Sequence, residues 1–218
     1  MNKLFITLLS IPKTFWVNLR YLDFRQAIKL PIIVSYDTSF KVRRGELCFE
    51  CPIKMGMIRI GFHEVPACHR ERTKFCVDGT LVFKGEAHIG NGSSIYVSKE
   101  GFMELGDDFK ISASSSIICY HEIVFGRNIQ FSWDCLVMDS DTHTIYDELG
   151  NCYNLDKPIS FGDNIWIGCR STILKGSFIP NNCVIGSMSL VSGKKFEKNT
   201  IIAGVPARSI KNISGWKL

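Results

Sequence analysis

The chain has 218 residues, 45% of them hydrophobic, which is enough for one good core and short for two full domains. Its formal charge of +5 comes from scattered basic residues that form no long stripe, which argues against a nucleic-acid-binding protein. Nine cysteines are an odd number for a secreted disulfide framework, so a reducing cytoplasm is favoured.

Residues 1–40 contain no repeat and are predicted to form a helical or irregular N-terminal cap. The apolar stretch Leu4–Ile11 has only eight residues, and Pro12 is expected to end it, so it is too short to span a bilayer. Together with Trp16 and Tyr21 it is interpreted as a short amphipathic segment. Docking on the rest of the chain and peripheral contact with a membrane surface both stay open.

From about residue 45 the chain consists of short β-branched runs separated by Gly, Asn and Asp, and bulky apolar residues recur every six positions. The longest run is Phe161, Ile167, Ile173, Ile179, Ile185 and Val191. Earlier runs in the same register are Val77, Phe83, Ile89 and Ile95, then Leu105, Ile111 and Ile117, then Phe125, Phe131 and Val137. The residues four positions after the first five members of the longest run are mostly small: Ile165, Ser171, Ser177, Cys183 and Ser189.

A strand of about five residues followed by a sharp bend repeats its core-facing position every six residues, and stacked coils bury the repeated side chains. The period therefore predicts an all-β parallel β-helix over residues 41–193, followed by a short helical C-terminal tail over 194–218. Breaks in the period predict loops near 97–103, 118–124 and 138–160. The last is the longest, and a long excursion from a regular scaffold is often functional.

The tract from Phe161-Gly-Asp-Asn-Ile-Trp-Ile-Gly to Ile201-Ile-Ala-Gly-Val-Pro-Ala-Arg resembles the hexapeptide-repeat acyltransferases, more narrowly the sugar and capsular polysaccharide O-acetyltransferases. The resemblance covers roughly residues 45–212. It implies a left-handed β-helix, a homotrimer with active sites between subunits, acetyl-CoA as the donor and a saccharide as the acceptor.

The loop holds the predicted catalytic group. Removing a proton from an attacking hydroxyl suits an imidazole, which titrates near neutral pH. His143 follows an Asp-rich turn, as the catalytic His does in the resembling family, and is predicted to be the general base. Asp139 and Asp141 precede it. Their carboxylates could orient the imidazole, bond nearby backbone amides or contact the acceptor, and these alternatives stay open.

The resemblance and the six-residue register also predict which residues bind the substrates. Trp166 points outward by register, and the resemblance implies that it lies beside the active site at the subunit junction; Trp133 could line the same cleft. Cations should gather near the phosphates of coenzyme A. The cofactor-binding candidates are Trp166, Gly168, Ser192, Lys194, Lys195, Arg208 and Lys211, with Arg208 in the Val-Pro-Ala-Arg segment where the family often has a CoA-contacting arginine.

The chain departs from the family at residues 112–116, where related sugar acetyltransferases carry an Asn that contacts the reacting centre. Ser112 and Ser114 are the candidates that replace it, and a backbone amide is the other possible oxyanion donor.

Other functions were weighed. An N-acetyltransferase acting on a nucleotide-linked amino sugar and a non-catalytic β-helix module remain alternatives. A zinc hydratase would need three converging histidines, but His88, His121 and His143 are out of register. A zinc site at Cys48-x-x-Cys51 with His63, Cys68, His69 and Cys76 has loose spacing, so no metal is predicted. The expected location is the cytoplasm, and association with the inner face of the membrane stays open.

Overall fold

The computed structural model of the chain describes residues 3–62, 65–66 and 68–217. Helices α1 (Lys3–Tyr21) and α2 (Phe24–Ala27) come first. The strands, in chain order, are β1 (Ile32–Val34), β2 (Ser39–Val42), β3 (Glu46–Phe49), β4 (Ile58–Phe62), β5 (Lys74–Val77), β6 (Thr80–Phe83), β7 (Ala87–Gly90), β8 (Ser94–Val97), β9 (Phe102–Leu105), β10 (Phe109–Ala113), β11 (Ser116–Cys119), β12 (Glu122–Phe125), β13 (Ile129–Trp133), β14 (Leu136–Met138), β15 (Ile159–Phe161), β16 (Ile165–Ile167), β17 (Thr172–Leu174), β18 (Phe178–Ile179), β19 (Val184–Ile185), β20 (Leu190–Ser192), β21 (Thr200–Gly204) and β22 (Ala207–Asn212).

Through most of the described chain, every third strand joins the same sheet. The nine-stranded sheet has the order β1-β4-β7-β10-β13-β16-β19-β21-β22, the seven-stranded sheet β2-β5-β8-β11-β14-β17-β20, and the six-stranded sheet β18-β15-β12-β9-β6-β3. Neighbouring strands are parallel except for β21 and β22. The sheets are therefore the three sides of a prism, and each coil adds one strand to each side.

The six-residue period marks the interior of this prism. Every core position predicted from it has an exposed fraction of 3% or less, from Val77 through Val191. Ser171, Ser177, Cys183 and Ser189, which the pattern places at the corners, are buried as well. The predicted parallel β-helix is confirmed.

Several boundaries differ from the predictions. Residues 98–101 and 120–121 form tight turns between strands, so the loops expected near 97–103 and 118–124 do not leave the prism. Strand β1 lies within the range assigned to the cap and pairs with β4, so the first coil begins there.

The predicted C-terminal helix is wrong. Strands β21 and β22 form an antiparallel hairpin instead, and β21 pairs with the edge of β19. Ile202 and Ala207 are fully buried, so the hairpin closes the end of the core. An open strand edge with an exposed core end favours such a hairpin over a detached helix.

Helix α1 continues through Pro12, where the sequence predicted its end. Polar side chains before and after the proline hold helix α1 to the outer edge of the first coil. The Asn18 amide donates to Ile32 O (2.7 Å) and accepts from Ile32 N (3.2 Å). Thr14 Oγ1 accepts from Val34 N (3.1 Å) and Ser10 Oγ accepts from Tyr36 N (3.0 Å). These contacts satisfy backbone groups that an edge strand leaves unpaired.

Within the described part of the chain, no helix combines the length and the apolar character needed to cross a membrane.

The turns that lead into the nine-stranded sheet carry a ladder of asparagines. Asn128, Asn164, Asn182 and Asn199 all have positive φ, between 53° and 63°. Each side-chain amide donates to the next one along the stack, over 2.7, 2.5 and 2.7 Å. Asparagine is suited to these corners because it tolerates the left-handed conformation and bonds locally.

Replacing Asn164 tests the ladder. Asn164→Gly should lower the free energy of unfolding by about 1–2 kcal/mol, because two hydrogen bonds are lost. Asn164→Val should lower it by about 1–2 kcal/mol more, because a β-branched side chain is strained at positive φ. Urea unfolding of the two variants beside the parent chain measures both effects, and a glycine variant less stable than the valine variant would contradict this account.

Candidate active site

The long loop, residues 139–158, leaves the prism between β14 of the seven-stranded sheet and β15 of the six-stranded sheet. We call this corner the loop edge. In a three-sided prism it lies opposite the nine-stranded sheet. Within the loop, an antiparallel bridge joins Tyr146 to Cys152. The loop therefore projects from one corner as a small ordered excursion.

Asp139 begins the loop and is fully buried. Its carboxylate accepts hydrogen bonds from the backbone amides of Tyr120 (2.7 Å), His121 (2.8 Å) and Glu122 (2.7 Å). Burial, with this carboxylate alongside, raises the pKa of the Cys119 thiol well above its usual range. Asp139 thus closes the turn between β11 and β12 and anchors the start of the loop. These contacts are the backbone-amide alternative that the sequence left open for Asp139, and its catalytic role stays a prediction.

Asp141 is held by two side chains. Its Oδ2 accepts from Lys175 Nζ (2.6 Å) and from Asn154 Nδ2 (2.7 Å). The hydrogen bond from Lys175, followed by that from Asn154, lowers the pKa of this carboxyl. Lys175 also donates to Asn154 O (2.7 Å). The carboxylate is therefore directed toward these partners, and the predicted direct pairing with the imidazole is not present in this chain.

The His143 side chain is exposed on the loop. Its Nδ1 lies 3.1 Å from Thr142 Oγ1 and 3.4 Å from the backbone oxygen of Asp141. The Asp141 carbonyl oxygen can accept a proton from Nδ1, whereas the Thr142 hydroxyl can donate to the same nitrogen, so these two contacts fit either tautomer. With the proton on Nδ1, the lone pair of Nε2 is directed away from both contacts and the Asp141 main chain holds the ring.

The backbone beside His143 is strained. Thr142 has a φ of 60°, which is rare for a β-branched residue. Its amide donates to Ser140 Oγ (3.0 Å), which helps to hold this conformation. Backbone strain of this kind is characteristic of functional sites.

Two hollows flank this part of the loop. His143 lines one of about 280 Å³, with Tyr120, Ser140 and Asp156 among its walls. The other, about 440 Å³, lies beside Asp141, Lys175 and Ser192. Asn154 and Leu155 line both hollows. Ser192, a predicted cofactor contact, is thus brought near the loop.

The predicted aromatic and serine residues lie elsewhere. Trp166 is on β16 of the nine-stranded sheet, 43% exposed, and its Nε1 donates to Ser132 Oγ (3.2 Å). Its ring centroid is 6.4 Å from that of Trp216. Trp133 ends β13, Ser112 belongs to β10, Ser114 follows β10, and Gly168 follows β16. Within one chain, these residues and His143 occupy different sides of the prism.

The predicted phosphate-binding cations lie at the C-terminal end of the prism. Lys194 and Lys195 follow β20, while Arg208 and Lys211 are on β22, and all four are exposed. Lys194 Nζ donates to Ala207 O (3.4 Å), which places it close to the position of Arg208.

Sequence reasoning missed Lys175, Asn154 and Tyr120. Lys175 follows the core position Ile173 by two residues, and Asp139 follows Val137 likewise, so the register places both at the loop edge on successive coils. That signal was available. Asn154 lies in the aperiodic loop, where the sequence carries no comparable signal.

Among the residues that the structure describes, no three His, Cys, Asp or Glu side chains are grouped so as to hold a metal ion. His63, weighed above for a zinc site, lies outside them. His88 is on β7 of the nine-stranded sheet, whereas His121 and His143 are at the loop edge. The nine cysteines, all of them among the described residues, are thiols rather than disulfides.

No protein-family model matches the chain, but individual proteins resemble it. An uncharacterized 24.8 kDa protein in the cps region of Klebsiella pneumoniae is 33% identical over 145 residues, which are 62% of this chain and 62% of that protein. The galactoside O-acetyltransferase of Escherichia coli is 30% identical over 123 residues, 55% of this chain and 59% of that enzyme. The chain thus spans less than two thirds of either relative.

Among solved structures, a polysialic acid O-acetyltransferase superposes with a TM-score of 0.52 at 20% identity, over 86% of this chain and 90% of that one. At this identity the likeness establishes the fold alone. The chain is a left-handed parallel β-helix, as predicted.

The Asp141 contact can be tested by pH. A lowered pKa means that the folded chain favours the ionised carboxylate, so the stabilisation is present above the unfolded value of about 3.9 and is lost as pH falls through the lowered folded value. The parent should exceed Asp141→Asn in free energy of unfolding by up to about 1 kcal/mol at pH 5–7, because the pair is partly exposed, and by almost nothing near pH 2.

Urea unfolding across this pH range measures the difference. The control is Asp141→Asn in a Lys175→Met background. There the difference in the free energy of unfolding should shrink, because the lysine that stabilises the Asp141 carboxylate is gone. A difference that does not change with pH would show that the carboxylate contributes nothing through its charge.

Proposed function

We propose that this chain is a member of the hexapeptide-repeat family and an O-acetyltransferase that moves an acetyl group from acetyl-CoA to a hydroxyl group of a saccharide. The observation that carries the proposal is the arrangement of His143. Its imidazole is exposed beside a hollow, and its Nδ1 is within reach of a main-chain carbonyl of the same loop. This is the arrangement expected of a general base.

In the proposed reaction, Nε2 of His143 takes the proton of the acceptor hydroxyl as its oxygen attacks the thioester carbonyl. The Asp141 carbonyl oxygen holds the Nδ1 proton and stabilises the positive charge that the ring then carries. Bound acetyl-CoA supplies the acetyl group, and its sulfur receives the proton back from the imidazolium as the C–S bond breaks. The Lys175–Asp141–Asn154 contacts keep the loop in place during these steps.

The chain's own cations suit the donor. Coenzyme A carries phosphate groups, and Lys194, Lys195, Arg208 and Lys211 offer exposed positive charge at one end of the prism. Gly168 and Ser192 remain the proposed contacts of the pantetheine arm. Ser112 and Ser114 remain candidate oxyanion donors beside a backbone amide, although the Ser112 hydroxyl already donates to Phe131 O (2.8 Å).

One chain does not bring these groups together, because His143 is at the loop edge and Trp166 is on the opposite sheet. We therefore propose a homotrimer. The loop edge of one subunit would meet the side of its neighbour that carries Trp133 and Trp166, so each site would lie between two subunits.

The activities of similar proteins support the acceptor class. One relative is a galactoside O-acetyltransferase, and the structural neighbour is a polysialic acid O-acetyltransferase. A saccharide is accordingly proposed for this chain. We propose the cytoplasm as the location of the reaction, and the inner face of the membrane stays open.

The test is His143→Ala, assayed by release of CoA thiol in the presence of a panel of glycans. Turnover should fall by at least about 100-fold, since positioned general bases contribute factors of this size. Acetyl-CoA binding measured by calorimetry should stay close to that of the parent. His121→Ala is the matched control, an exposed histidine at the same edge, and it should keep near-parental turnover.

Undiminished turnover in His143→Ala would overturn the assignment of the base. Absence of both acetyl-CoA binding and thiol release with every glycan would support the non-catalytic alternative. Hydroxylamine treatment of the product separates the remaining readings, because an O-acetyl ester is cleaved and an N-acetyl amide is not.

A further inference from the structure

Helix α1 presents an apolar stripe to solvent. Its members recur at the i, i+3, i+4 and i+7 spacing that places residues on one helical face. We call this face the outer stripe: Phe5, Leu8, Leu9, Pro12, Phe15, Trp16 and Leu19. Pro12 is exposed, and the other six residues are between 41% and 58% exposed. Contiguous exposed apolar surface of this kind marks an interaction site.

The opposite face of α1 is buried. It carries the apolar residues Ile6 and Val17 together with polar side chains. Ser10, Thr14 and Asn18 are 8% exposed or less and bond the backbone of the first coil. Lys13 also points inward, donating to the carbonyl oxygens of Tyr36 and Thr38. The helix is therefore attached through hydrogen bonds and through its two buried apolar residues, and the outer stripe is left for another partner.

The apolar surface continues beyond α1. Phe24 is 72% exposed, Ile28 60% and Met55 74%. A groove of about 300 Å³ between Phe15 and Met55 has almost entirely apolar walls. The surface thus extends over the whole N-terminal end of the prism, where α1 packs on β1.

Cations accompany this surface. Arg20, Arg25 and Lys29 are exposed in and after the same helices, and Asp23 is the exposed acid among them. A second copy docked through a two-fold axis would bring like charges together, which is unfavourable. Anionic lipid headgroups would instead pair with these cations while the stripe enters the acyl boundary.

We propose that the outer stripe is an interfacial helix that binds the surface of an anionic lipid bilayer. Trp16 is the type of side chain that favours the headgroup region. Acetyl transfer is not required for this binding. If three chains assemble about an axis parallel to their prisms, the three N-terminal ends face the same way and bind together.

The experiment is co-sedimentation of the full chain with vesicles of equal parts phosphatidylglycerol and phosphatidylcholine, compared with phosphatidylcholine alone. The parent should sediment with the anionic vesicles. Leu8→Gln with Phe15→Gln should weaken binding at least about tenfold, because two apolar side chains no longer enter the bilayer. Leu149→Gln, equally apolar and 87% exposed on the loop, is the matched control and should bind as the parent does.

Arg25→Gln with Lys29→Gln should weaken binding to the anionic vesicles several-fold and leave binding to neutral vesicles unchanged. His143→Ala should bind as the parent does, which keeps this result separate from that of the proposed reaction. Because the substituted side chains are exposed, the variants should retain the parent's far-ultraviolet circular dichroism spectrum.

Two outcomes would overturn the proposal. One is equal sedimentation of the parent and the Leu8→Gln/Phe15→Gln variant. The other is that the parent binds neither kind of vesicle. This outcome overturns the proposal whatever mass light scattering gives for the variant. A lower mass would assign the stripe to contacts between copies of this chain.

Discussion

The stacking of each coil on the next is the constraint on which the other features depend. Parallel strand pairs fix neighbouring coils in register, so a core-facing residue such as Ile167 lies directly against its counterparts Phe131 and Ile185. The interior is then filled, and chemistry is confined to the outer faces, the corners and the loops. Val137 and Phe161 keep the six-residue phase across the long loop, so the loop leaves and returns without disturbing the stack.

This constraint explains how an exposed histidine can be positioned accurately. Asp139 ties the start of the loop to a turn of the coil before it, and Asp141 reaches Lys175 on the coil after it. The loop is therefore fastened to rigid coils on both sides. The same geometry separates His143 from Trp166 within one chain, which is why the proposed site requires a second copy.

The fold was predictable because bulky apolar residues recur every six positions in the sequence. Several corners are marked by asparagines, a residue type that tolerates positive φ. The position of the long loop that carries the candidate base was predictable because the loop interrupts that period. The place of Lys175 at the loop edge could also have been found from the register, but the contact of Asp141 with Asn154 could not, since Asn154 lies in aperiodic sequence. Nor was the course of α1 through Pro12 predictable, because hydrogen bonds from Thr14 and Asn18 to another strand override the local effect of proline.

The central claim is that the site lies between subunits and takes His143 from one and Trp166 from its neighbour. The direct measurement is complementation in mixed oligomers of His143→Ala and Trp166→Ala chains, co-assembled with different tags and purified. Both pure variants should be weakly active. In a random mixture about a quarter of the sites should combine an intact histidine with an intact tryptophan, so activity should rise well above either variant. A mixture no more active than the average of the two pure variants would contradict the claim.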